Sequence, residues 1–169
     1  FFVHSYLGFI QGFCYGVNQI KPADLLEALS QALCDNELLG SSLVTALALV
    51  LYDDGHVELA CAGHPPPLIL KNNHWQALNV KGTLPGLLPG QKYKSIEFEA
   101  EGPILCYTDG LQEGLNEDSW LTLLDKTKRA MCEDDYTLSS VINYYDKEAG
   151  IPPKDDATLL TINPVATSG

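Results

Sequence analysis

Residues 44–70 read VTALALVLYDDGHVELACAGHPPPLIL. From Leu43 to Tyr52 the chain is apolar and rich in strand formers at its ends, and Asp54-Gly55 is a pair that turns a β-hairpin. Val57 to Ala62 is the returning strand. Pro65, Pro66 and Pro67 then set a rigid, extended exit, and Leu68 to Leu70 opens another strand. Strands this continuously apolar belong to a sheet covered on both faces.

Working outward, Trp75–Val80, Tyr93–Phe98 and Ile104–Thr108 read as further strands, with turns at Asn72-Asn73 and Glu101-Gly102. Upstream, Val3, Tyr6, Leu7, Ile10, Phe13, Cys14 and Val17 recur at helical spacing. A second helix starts near Pro22, a residue suited to a first turn. Leu25, Leu26, Leu29, Ala32 and Leu33 form its apolar face, and it ends before Gly40. Beyond the strands, Ser119 and Thr137 are placed to cap two more helices. Ala157–Ile162 is the last strand, and the tail from Asn163 is expected to fray. Helix pair, strands, helix pair, strand is an α+β layered order, not an alternating βαβ one. The expectation is one domain over residues 1–162, with 163–169 as a tail.

Bulk properties narrow the function. The chain has 169 residues, 46% of them hydrophobic, and a net charge of −12. Such an acidic chain is a poor ligand for nucleic acid or an anionic membrane surface. No run approaches the roughly 18 apolar residues of a membrane helix, and the start lacks the pattern of a signal peptide. Cys14, Cys34, Cys61, Cys106 and Cys132 show no zinc or redox spacing, so they read as reduced thiols of a cytoplasmic protein. Glu133-Asp134-Asp135 reads as a solvated connection between helices.

Three short segments could carry chemistry: Gly63-His64 before the prolines, Tyr107-Thr108-Asp109-Gly110 leaving a strand, and Asp155-Asp156-Ala157-Thr158 entering the last one. Taken singly, each is an ordinary turn or a solvated cap. Together they say more. If the strands ending at Asp109 and starting after Asp155 are antiparallel neighbours, their carboxylates meet at one rim of the sheet. Hard cations such as Mg2+ and Mn2+ favour oxygen ligands of this kind, and Gly110 permits close backbone approach there.

Four elements in order, VTALALVLYDDGHVELACAGHPPPLIL, LPGLLP, ILCYTDGLQEG and DDATLLTI, resemble the metal-dependent protein phosphatase (PPM) family. The branch is the bacterial one holding the stage II sporulation protein E phosphatase and the stress-response sigma-factor regulators. The resemblance runs from about Pro22 to Ile162. It implies an antiparallel β-sandwich flanked by helix pairs, two Mn2+ or Mg2+ ions, and hydrolysis of phosphoserine or phosphothreonine by a metal-bound water. It implies metal-ligand roles for Asp109 and Asp155, with Asp156 the next candidate and Gly110 at the same turn. Gly63 and His64 match a loop taken as structural support.

The resemblance also implies a phosphoprotein partner, such as an anti-anti-sigma factor. Leu84-Pro85-Gly86 stands where the family more often has Pro-Leu-Gly. Two acidic elements that the family carries upstream, Gly-Asp and Asp-x-x-Gly-x-Gly, are not in the sequence. The chain is therefore expected to begin inside the domain without that part of the metal site. An open sheet edge would then be available for self-association. The alternative is a phosphatase-like module that binds a regulatory partner without catalysis.

Overall fold

The structure is a computed structural model, and it describes residues 2–35, 43–72, 74–111 and 156–163. In chain order the elements are α1 (Phe2–Gly16), α2 (Pro22–Asp35), β1 (Ala46–Leu51), β2 (His56–Ala62), β3 (Leu68–Lys71), β4 (His74–Ala77), β5 (Ser95–Glu99), β6 (Ile104–Tyr107), a 3-10 turn (Asp109–Leu111) and β7 (Leu159–Ile162). They gather into two compact units. One comprises Phe1–His64 with Asn79–Glu99, the other Pro65–Leu78 with Ala100–Val165.

The first unit is a three-stranded sheet, ordered β1-β2-β5, with α2 packed on it. All its pairings are antiparallel. The β1–β2 hairpin turns through Asp54-Gly55, as the sequence implies. Gly55 takes the left-handed conformation at φ 88°, and its N–H donates to the Tyr52 carbonyl at 3.0 Å. Ala46 lies opposite Ala62 and Ala48 opposite Ala60. This patch of small residues leaves room for α2, whose Leu26 joins Ala48, Ala60, Ala62 and Tyr93 in one buried cluster. Val57 and Leu59, on the opposite face of β2, are fully buried.

The second unit is a four-stranded antiparallel sheet, ordered β4-β3-β6-β7. Every residue of β6 is buried, as expected of an apolar strand flanked on both sides and covered on both faces. Among the described residues β7 ends the strand order of this sheet, and its Leu160 is exposed. Antiparallel sheets with helices segregated from them make the fold class α+β, as the sequence implies.

Several strand boundaries differ from expectation, among them the start of β7, at Leu159 rather than Ala157. β1 starts at Ala46, not Leu43, because Thr45 turns its hydroxyl to His64 and Leu43 is 81% exposed. β4 spans His74–Ala77, not Trp75–Val80, with one more bond in register beyond it, from Leu78 N–H to the Pro67 carbonyl at 2.9 Å. β5 starts at Ser95, not Tyr93, whose N–H donates to the Glu27 carboxylate at 3.3 Å. The helices expected after Ser119 and Thr137 lie outside the described residues, as does Cys132. Cys61 and Cys106 are buried free thiols.

Candidate metal centre

The second unit brings two acid-bearing segments together. β6 pairs antiparallel with β7, with Tyr107 opposite Leu159. The ladder runs on by one step beyond both strands, where Thr108 N–H donates to the Thr158 carbonyl at 3.0 Å. Asp109 follows Thr108 and Asp156 lies two residues before Thr158. The end of one strand thus stands beside the start of the other, at one rim of the sheet. Asp109 is exposed and opens the 3-10 turn; its Oδ1 accepts from Gly110 N–H at 3.1 Å. Gly110 is buried and Asp156 exposed. Asp155 lies outside the described residues.

Beneath this rim the strand is apolar and closed. Tyr107 is 3% exposed, and burial pushes the Cys106 thiol up to about 11. A charged ligand is therefore confined to the rim, where the carboxylates meet solvent. The described donors there are oxygens, which suits a hard divalent cation. Among the described residues no three His, Cys, Asp or Glu side chains gather closely enough to hold a metal. Asp109 and Asp156 are the described acids at this rim, both exposed.

Gly63 and His64 belong to the first unit, and their described tethers lie there too. Gly63 has φ 70° and donates to the Gly82 carbonyl at 2.8 Å. A Cβ on it would stand 2.6 Å from Leu84 Cδ2. His64 Nδ1 lies 3.0 Å from Thr45 Oγ1, and its carbonyl accepts from Cys61 Sγ. The latter bond lowers the Cys61 thiol, but burial outweighs it and raises the group.

Sequence reasoning missed Thr108 and Thr158. Thr158 N–H donates to Thr108 Oγ1 at 2.8 Å, and that hydroxyl reaches the Asp156 carbonyl at 3.5 Å. The available signal was a threonine at the end of one strand and another at the start of its antiparallel neighbour.

The fold has solved counterparts. The RsbU and RsbW domains of a Mycobacterium tuberculosis protein superpose with a TM-score of 0.72 at 22% identity, covering 94% of this chain and 46% of that one. The PP2C phosphatase domain of the Bacillus subtilis cell-fate determinant SpoIIE, with a fragment of its regulatory domain, gives 0.71 at 12% identity, covering 95% and 48%. A Mn-presoaked structure of the phosphatase domain of the same protein gives 0.52 at 12% identity, covering 82% and 72%. The chain spans about half the length of the first two. Among curated protein sequences none matches. The family model of stage II sporulation protein E (SpoIIE) matches residues 10–164, and the chain belongs to that family, with the fold of PP2C-type phosphatases.

Proposed function

We propose that the chain is a metal-dependent protein serine/threonine phosphatase domain acting on a phosphorylated regulatory protein. The observation that carries this is the pairing of β6 with β7. It brings the Asp109 turn beside the segment that starts at Asp156, in a chain of the SpoIIE family. Asp109, Asp155 and Asp156 are the residues that would hold Mn2+ or Mg2+ at the rim. Bound there, the ion would supply Lewis-acid chemistry, activating water and offsetting charge on the phosphoryl oxygens.

The protein's own part is to gather anionic oxygens at a solvent-facing edge and to seal the strand below it against water. The substrate class read from the family is a phosphoserine or phosphothreonine protein such as an anti-anti-sigma factor. The mycobacterial counterpart, which carries RsbU and RsbW domains in one structure, supports a partner-switching setting. Both units are read as one domain over residues 1–162 of a cytoplasmic protein, with a tail beyond. A second copy pairing at an open sheet edge belongs to the same reading.

The test is phosphate release from a phosphoserine-bearing protein with millimolar Mn2+ and with excess chelator. Release with Mn2+ that stops with chelator supports the proposal. No release from folded, Mn2+-supplied protein removes the enzyme reading and leaves a phosphatase-like binding module.

A further inference from the structure

The Thr108 hydroxyl is engaged on both sides. It accepts from Thr158 N–H at 2.8 Å and points its own proton at the Asp156 carbonyl at 3.5 Å, a longer and weaker contact. The main chain of Thr108 already holds Thr158 through the 3.0 Å bond of its N–H. That backbone bond fixes the ladder end, but only the side chain extends the tie to the residue carrying the acid. Among the described residues, β7 has β6 as its one neighbour in the sheet order. Within the sheet, these bonds tie the described residues before β7 to β6.

We propose that Thr108 is a positioning residue that clasps the Asp156 backbone to the Asp109 turn and so holds the two acid-bearing segments together for a divalent cation. This rests on the metal-site reading above. A threonine suits the task because one hydroxyl both donates and accepts, and its branched Cβ restricts the rotamer. Serine keeps both bonds, valine keeps the shape without them, and alanine keeps neither. Groups that orient metal ligands in this way are typically worth 10–100-fold in metal affinity.

The test is Mn2+ affinity of the full 169-residue chain, read from the paramagnetic resonance of free Mn2+. It compares wild type with Thr108→Ser, Thr108→Val, Thr108→Ala and Asp109→Asn. Valine and alanine are expected to weaken binding roughly tenfold or more, and serine to stay near wild type. Hydrogen exchange at the Thr158 amide should quicken in the valine and alanine variants without metal, and stay slow with serine. Should the valine chain not fold, alanine and serine make the same comparison. Wild-type affinity in valine or alanine, with Asp109→Asn impaired, overturns the clasp alone. Loss of affinity in serine equal to that in alanine also overturns it. Unchanged affinity in Asp109→Asn overturns the metal-site reading and the clasp with it.

Discussion

Replacing Gly82 with alanine should destabilise the first unit through a collision that has no easy escape. A Cβ at this position would overlap the Cys61 carbonyl oxygen. It would also stand 3.1 Å from the Cys61 carbonyl carbon and 3.0 Å from Tyr93 Cδ1. Cys61 lies in β2, 2% exposed and paired with Leu47, so its carbonyl cannot retreat without disturbing the ladder. Tyr93 is 7% exposed and packs in the α2 cluster. The loop backbone at Gly82 must move instead, which stretches the 2.8 Å bond from Gly63 N–H to the Gly82 carbonyl.

Overpacking costs about 1–3 kcal/mol, and the lost hydrogen bond about 1 kcal/mol. The sum is about 2–4 kcal/mol, a large share of a typical net stability of about 5–15 kcal/mol. Gly55→Ala is the control. It has φ 88° and nothing within 4 Å of the new methyl, so only left-handed strain of about 1–2 kcal/mol applies. Urea unfolding followed by circular dichroism, read as midpoint shifts at constant slope, separates the two. A Gly82→Ala chain as stable as wild type, or more stable than Gly55→Ala, would refute the reasoning.

Leu59→Ala, at a fully buried position in the central strand of its sheet, should cost about 2–5 kcal/mol. Leu88→Ala, 67% exposed, should stay within about 0.5 kcal/mol in the same unfolding assay. At pH 8 a thiol reagent should label half-buried Cys14 and Cys34 in the native chain, and Cys61 and Cys106 only after unfolding. Equally fast labelling of Cys106 would contradict its burial.

The same thiol makes stability depend on alkaline pH. Above its ordinary value of 9.0 the unfolded chain gives up the Cys106 proton, while the folded chain keeps it to about 11. Stability should therefore fall as pH rises from about 9 to about 11, and level off beyond for this group. Tyr93, also raised by burial, adds a loss of the same sign above 10.0. Urea midpoints across this range should fall less steeply in Cys106→Ala; identical slopes would count against it.

Much of the fold was legible because its signals are local. Asp54-Gly55 gave the hairpin, and the apolar runs gave β2, β3 and β6 to within a residue or two. Pro22 marked the start of α2. The errors at strand ends have non-local causes. Thr45 and Tyr93 each turn to a partner distant in sequence, His64 and Glu27. No periodicity encodes those choices.

What was legible about the rim was a conditional: the strand leading to Asp109 and the strand after Asp156 had to be antiparallel neighbours for their ends to meet. That pairing is what the sheet contains. Thr108 was legible only as part of a strand end, since its role depends on which backbone lies opposite. Gly63 belongs to a legible motif, but its need for glycine comes from its φ of 70° and from Leu84, twenty-one residues on.

The most direct test of the central claim is hydrolysis of p-nitrophenyl phosphate with millimolar Mn2+ by the wild-type chain and by Asp109→Asn. If the β6–β7 rim is the metal centre, wild-type turnover depends on Mn2+ and falls roughly 100-fold or more in the variant, the scale of a lost charge-stabilising group. Mn2+-dependent turnover unchanged by Asp109→Asn would place the chemistry elsewhere and contradict the account.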